Sequence, residues 1–411
     1  MNGSKRSLGA LDALNFTFAD IQTGVGPYLA IYLVGVRHFD AASVGIATSA
    51  AGFATVIAQT PAGAVIDGAT FKRTLLAIAA CVGGIGAVTL ALLPTLWPIV
   101  ATQIAIGAAF AFVPPGIAAI SLGMVGSAAL AKRQGRNQAF NAAGNVFFAV
   151  TAGALGYFAA LSWIFYLILA LGALTAFFAL TIQKDDIDDD AAREAPEAQY
   201  GKREAPQPFA MMLRNACRDR RIVVFVVVLF LWNLSNAAML VMLGEILPHG
   251  GRSGASLYLS AGIVAAQLVM IVAALAVPRF ADRLGRKPVF AFAMCALVAR
   301  GVLFAIVGKA NPDVLIVVQA LDGLGAGVYN VIWLLIVSDI AKGTGRFNFL
   351  QGIAITGFGL GGAFSNLIAG FIAQRFGFQI GFLALSGIAA LTLALFLFAM
   401  PETKIRSSQL R

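Results

Sequence analysis

"PRFADRLGRKP", residues 278–288, places Arg279, Arg283, Arg286 and Lys287 around a single acid, Asp282. The runs on either side, 256–278 and 288–308, are apolar, and each reaches the about 20 residues a helix needs to cross a bilayer core. A basic turn between two such runs belongs on the cytoplasmic face, where Lys and Arg concentrate. The stretch therefore predicts a hairpin of membrane helices and the side on which it turns. A second stretch, "QTPAGAVIDGATFKR" at 59–73, has the same character. There Asp67 ends one apolar run, and Lys72 and Arg73 open the next.

The same reading along all 411 residues gives twelve spans, near 10–36, 43–66, 74–93, 97–127, 138–160, 163–182, 222–247, 256–278, 288–308, 313–340, 347–373 and 379–400. Composition agrees: 59% of residues are apolar, 12% are charged, and the mean hydropathy is +0.85. A soluble domain carries roughly 25% charge to wet its surface. The class is an all-α polytopic membrane protein. A net charge of +10 suits a polyanion ligand only if it gathers on one surface. Instead, 24 of the 29 Lys and Arg fall in the segments expected to be cytoplasmic, against Arg37, Arg252, Lys309 and Arg375 on the other side and Arg300 inside a span. That asymmetry reports topology. It puts both termini in the cytoplasm of a cell with a bacterial-type inner (plasma) membrane and gives no reason to expect nucleic acid. Cys81 and Cys295 lie in spans and Cys217 on the cytoplasmic side, so no disulfide is expected. "MNGSKRSLGALDALNF" runs into a full-length span without a small-residue cleavage site, so no cleavable signal is expected.

The middle differs. "QKDDIDDDAAREAPEAQYGKREAPQP" (183–208) is acidic, Pro-containing and without apolar period, which predicts a flexible linker. "FAMMLRNACRDRR" after it suits a short amphipathic helix on the inner surface. The expected organisation is therefore a six-helix bundle at 1–182, a cytoplasmic linker at 183–221 and a second six-helix bundle at 222–411. The bundles echo each other: "AKRQGR" (131–136) returns as "AKGTGR" (341–346), Asp67 as Asp282, Gln103 and Gly107 as Gln319 and Gly323, and His38 as His249. These offsets all lie between 210 and 216 residues. Two parallel six-helix repeats about a pseudo-twofold along the membrane normal are one of the known transporter architectures.

The two loop stretches resemble the signature of the major facilitator superfamily, G-x-x-x-D-R-x-G-R-[RK], between helices 2 and 3 and between helices 8 and 9. The second copy keeps Asp282, Arg283, Gly285, Arg286 and Lys287, with Pro278 in place of the first Gly. The first keeps Gly63, Asp67, Lys72 and Arg73, with Gly68, Thr70 and Phe71 at the Arg, Gly and Arg positions. "PETK" (401–404) is another ending common in that family. The resemblance implies two pseudo-symmetric bundles working by alternating access. It also implies a cytoplasmic latch, each Asp meeting the positive end of a helix from the other half. Asp67 would face Gly345 and Arg346, and Asp282 would face Gly135 and Arg136. Helix 5, "NAAGNVFFAVTAGALGYFAA", lacks the Gly-Pro signature of the family's proton-antiporting drug exporters, and Gln103 stands where those exporters tend to carry Arg.

Asp20, within "NFTFADIQTGVGPYLAIYL" (15–33), is an acid near mid-membrane with no Lys or Arg within a helical turn. Such acids are costly in hydrocarbon and default to function. A proton-coupling role is one reading, and a carboxyl satisfied by neighbouring hydroxyls or amides is the other. Arg300 and Asp322 lie at similar depth on successive helices. They read either as a structural ion pair or as an anion-binding Arg with a protonatable release group. The substrate cavity is expected to draw on Gln22, Thr23, Gln103, Asn141 and Asn145 in the first half, and on Asn233, Asn236, Arg300, Gln319 and Asp322 in the second. Amides suit polar solutes, although such residues also glue helices together. Trp232 and Trp333 could stack on a ligand or simply pack.

Two turn histidines and three scattered cysteines make no metal site, and no catalytic triad or phosphate loop is present, so no metal, cofactor or enzymatic activity is expected. The expected function is secondary active transport of a small solute by a monomer in the bilayer, coupled to protons and directed outward. Proton-coupled uptake is the nearest alternative. A non-transporting sensor on the same fold is another, but the linker is too short for a signalling domain.

Overall fold

The computed structural model describes residues 4–23, 25–189, 209–247, 254–307, 312–341 and 347–403. The described residues form fourteen α-helices. In chain order these are α1 (Lys5–Thr23), α2 (Val25–Gly35), α3 (Ala41–Gly68), α4 (Lys72–Leu92), α5 (Leu96–Phe110), α6 (Val113–Phe158), α7 (Ser162–Thr181), α8 (Phe209–Arg218), α9 (Arg220–Ile246), α10 (Ala255–Leu284), α11 (Arg286–Val307), α12 (Pro312–Ala341), α13 (Phe347–Phe376) and α14 (Phe378–Ala399). Eleven segments among the described residues are long and apolar enough to cross a membrane. The protein is a multi-pass membrane protein. The expected first span, 10–36, is described as two helices, α1 and α2, on either side of residue 24.

Glycine and proline set the breaks. The fourth span is locally distorted at its prolines: α5 stops at Phe110 and α6 starts at Val113, with Pro114 and Pro115 in its first turn and Ala111 and Phe112 keeping right-handed helical angles between them. No intrahelical donor is needed there, so proline is tolerated. Gly126 bends α6 with φ +70°, a conformation that costs a side-chain-bearing residue dearly. That bend separates the fourth span, ending at Gly126, from the fifth, Lys132–Phe158.

The chain divides into two compact units, Met1–Glu197 with Val241–Ala261, and Ala198–Leu240 with Gly262–Arg411. The units repeat their internal contacts. In the first, a Cβ on Gly107 would overlap the carbonyl of Ala51, and a Cβ on Gly144 the carbonyl of Phe16. In the second, Gly323 stands in the same way against Ala266, and Gly361 against Phe230. Bare glycine lets helix backbones touch, which is how membrane helices gain dispersion energy when lipid offers no hydrophobic gain. Within the first unit, Tyr28 and Ser260 also share a buried hydrogen bond of 2.7 Å.

The start of the linker is ordered on the first unit. The Asp186 carboxylate accepts hydrogen bonds from the hydroxyls of Ser4 and Ser7. The ammonium of Lys72, 1% exposed, lies 2.6 Å from Asp189. Arg73 donates to the Ile182 carbonyl at 2.7 Å. An acidic stretch read as solvated chain is thus anchored by hydroxyls and a buried lysine as far as residue 189. The expected amphipathic helix is present as α8.

Candidate functional site

The second unit contains a charged cluster within its spans. Arg300 sits on α11, and its side chain is 1% exposed. One guanidinium nitrogen donates to Asp322 Oδ1 at 2.8 Å and to Asn236 Oδ1 at 2.6 Å. The other donates to Gln319 Oε1 at 3.0 Å. Gln319 in turn donates to Asp322 Oδ2 at 3.2 Å, and the Phe304 ring lies 5.4 Å from the guanidinium carbon. Three helices contribute: α9 brings Asn236, α11 brings Arg300, and α12 brings Gln319 and Asp322, which are one turn apart on one face.

Why the sequence builds this is plain from cost. A lone guanidinium buried among spans is expensive, and a nearby carboxylate with amides on the remaining donors offsets that expense. The burial is asymmetric. Asp322 keeps 23% of its side chain exposed while Arg300 keeps almost none. The acid is therefore the member of the pair within reach of solute or water. The Arg300 Nε has no hydrogen-bond partner among the described residues, so the cation is not fully saturated.

Beyond the cluster lies an aromatic wall. Tyr329, two turns along α12 from Asp322, is near-parallel to Trp232, Trp333 and Phe358, at interplanar angles of 10°, 13° and 20°. Asn233 donates to the Phe358 carbonyl at 2.8 Å, which ties α9 to α13. Asn233 therefore acts as a helix-to-helix bond, whereas Asn236 serves Arg300. Trp232 is 3% exposed and belongs to the packing behind the wall.

The first unit is plainer. Gln103 is 3% exposed, and its Oε1 has no partner among the described residues. Asn145 donates to Asn141 at 3.3 Å along one face of α6. Asp20, Gln22 and Thr23 lie in α1, but their side chains fall outside what the structure describes, as do those of Asp67 and Arg346.

Several expected latch residues are placed within their own units. Arg136 is bound by Asp12, at 2.6 Å to Oδ2. Asp282 is 75% exposed and lies 3.6 Å from Arg286, while Arg286 reaches Asp339 at 3.0 Å. Gly285 turns the chain with φ +102°, which lets the Glu402 carboxylate accept from the backbone amides of Arg286 and Lys287 at 2.9 and 3.0 Å. Gly63 lies half-buried along α3, and Arg283 is exposed.

Two features escaped sequence reasoning. Asp12, 4% exposed on α1, holds both Arg133 and Arg136, and Arg133 continues through Asn137 to Ser121. The resemblance sets Arg136 of "AKRQGR" against Asp282 and gives Arg133 no partner. The signal was Asp12 itself, an acid just inside an apolar run with no local cation. Glu245, one residue before the end of α9, is 1% exposed.

Comparisons with known proteins agree with this architecture. The family model described as Major Facilitator Superfamily matches residues 11–308 and 253–411. An uncharacterised MFS-type transporter of Mycobacterium tuberculosis is 39% identical over 394 residues, spanning 96% of this chain and 93% of that protein, with the same figures in two strains. An uncharacterised transporter of Buchnera aphidicola subsp. Schizaphis graminum is 25% identical over 202 residues, 47% of each chain. Among solved structures, the nucleoside transporter NupG in substituted form superposes with a TM-score of 0.80, covering 96% of this chain and 100% of that one at 18% identity. NupG without the substitution gives 0.77, covering 95% and 98% at 18% identity. At that identity the likeness is one of fold.

Proposed function

The chain belongs to the Major Facilitator Superfamily and is a membrane transporter of a small solute; from that premise we propose that it works as a proton-coupled secondary transporter by alternating access. The observation that carries this reading is the Arg300–Asp322–Gln319–Asn236 cluster, charge held among membrane spans with its acid partly open. Charge at that depth is expensive enough to be kept for solute or ion handling.

Two acids share the work in this reading. Asp20, without a cation within a turn in the sequence, loads the coupling proton. Asp322 sets the state of Arg300: protonating it removes the counter-charge and leaves the guanidinium to meet an anionic or polar group of the solute. One proton crossing 100 mV supplies about 2.3 kcal/mol, roughly a fortyfold solute gradient. We favour export from the cytoplasm by a monomer in the inner membrane. In this reading Asp67 and Asp282, with Arg346 and Arg136, latch the cytoplasmic side while the cavity opens outward, a step in which Arg136 exchanges Asp12 for Asp282. Uptake by proton symport uses the same residues with the opposite order of loading.

The amides of Gln22, Gln103, Asn141, Asn145 and Asn233, with the hydroxyl of Thr23, would give the cavity neutral donors and acceptors for a polar solute. The solute screen includes nucleosides, the class named for NupG, because the near-parallel rings around Tyr329 suit a planar group. The test is solute-induced proton movement in proteoliposomes across solute classes, in wild type and in Asp20→Asn. A solute that moves protons in wild type and not in the variant supports the reading. Transport with no proton movement under any solute ends it.

A further inference from the structure

A groove on the second unit lies away from the charged cluster, between α10, α11 and α12, and encloses about 370 Å³. Its floor is small and apolar, with Ala273, Val277 and Val328. Its rim is Phe280, Leu284 and Phe292, 53%, 62% and 60% exposed. Groove-lining residues on α10 recur every three or four positions, so one face of that helix runs along the cleft down to Leu284. At that end α10 turns through Gly285 into α11, and the turn carries four basic residues, Arg279, Arg283, Arg286 and Lys287.

The cations divide into two kinds. Arg286 is spent on Asp339 at 3.0 Å and Asp282 at 3.6 Å, and Lys287 caps the Leu397 carbonyl at 2.7 Å. Arg279 and Arg283 are exposed and have no ion pair or hydrogen bond among the described residues. The acids at this end are Asp282, facing Arg286, Asp339, also on Arg286, and Glu402, occupied by two backbone amides. Two unneutralised guanidiniums therefore sit at the α11 end of α10, each next in sequence to a groove-lining residue, Phe280 or Leu284, in a chain that sits in lipid.

We propose that this groove is a specific site for one anionic phospholipid, an acyl chain lying against Ala273, Val277 and Val328 and the phosphate held by Arg283 and Arg279. The apolar floor suits a hydrocarbon tail, and the free cations select a negative headgroup over a zwitterionic one. Basic pockets between membrane helices take anionic lipid headgroups on the same physical grounds. The site lies in the leaflet at the turn end of α10 and α11.

The test uses the full chain in nanodiscs with Leu284→Trp as a reporter at the rim. Its fluorescence is quenched by phosphatidylglycerol or phosphatidylcholine carrying bromine on the acyl chain. The expected result is stronger quenching by phosphatidylglycerol, about fivefold in relative affinity per arginine. That preference should disappear in Arg279→Gln/Arg283→Gln. Ala276→Phe, which fills the groove without touching charge, should lower quenching by both lipids. Equal quenching by the two lipids overturns the proposal, as does a preference that survives removal of both arginines. Full displacement by water-soluble glycerophosphoglycerol also overturns it, since the acyl groove would then contribute nothing.

Discussion

The two units hold the same backbone contacts and different chemistry. An offset of 216 residues relates Gln103 to Gln319 and Gly107 to Gly323. Both glycines receive a helix backbone at van der Waals range, on Ala51 and on Ala266. The same offset pairs Asp20 with Asn236, Gly84 with Arg300 and Ile106 with Asp322. In the second unit those positions form one bonded cluster. In the first, Gly84 lies against the backbone of Leu169, Ile106 is buried core, and Gln103 leaves its carbonyl oxygen without a partner among the described residues. The scaffold tolerates no Cβ at its crossing points and so stays alike. Interior polar positions are constrained only by satisfaction of their own charges, and so they diverge.

The largest test of that contrast is to leave one charge of the cluster alone. Asp322→Ala strands a buried guanidinium and should cost about 3–5 kcal/mol, read as a large fall in thermal unfolding temperature in detergent. Arg300→Met with Asp322→Leu removes both charges and should recover most of that loss. A stable Asp322→Ala protein would mean that the pair is not holding the cation.

The matched glutamines give the next effect. Gln319→Leu deletes bonds to both Arg300 and Asp322 and should cost about 1.5–3 kcal/mol. Gln103→Leu at the equivalent place, with an unpartnered oxygen to lose, should be neutral or stabilising. Equal losses at the two positions would erase the asymmetry. The matched glycines should behave alike instead. Gly107→Val and Gly323→Val each force two backbones apart and should cost about 1–3 kcal/mol apiece, seen as parallel drops in unfolding temperature.

The smallest effect is a pH dependence confined to the first unit. Hydroxyl hydrogen bonds from Ser4 and Ser7 hold the Asp186 carboxyl below the usual carboxylate range. A depressed acid contributes stability above its unfolded value of about 3.9, and loses it as pH falls through the folded value. Proteolytic cleavage near residues 183–189 should therefore rise at acid pH, and Asp186→Asn should make cleavage high and flat across pH. Cleavage that is pH-independent in wild type would remove the anchor.

Most of the fold was legible because it rests on hydropathy and on repeat spacing. The spans, the basic turns and the matched glycines all follow from those two signals. The partnership of Arg300 with Asp322 was legible from depth alone, since neither charge is tolerable without the other. Asp12 with Arg133 and Arg136 was not, because a turn rich in Lys and Arg near a membrane face needs no acid to explain it. The first seven linker residues looked solvated because hydroxyl and backbone partners leave no periodic trace.

The account turns on whether Asp20 of the first half carries the proton while the paired charges of the second half hold the solute. The most direct measurement is proton flux driven by a transported solute in proteoliposomes, compared between wild type and Asp20→Asn with solute binding measured alongside. Binding retained and flux abolished in the variant is the expected result. Proton flux at the wild-type rate in Asp20→Asn contradicts it.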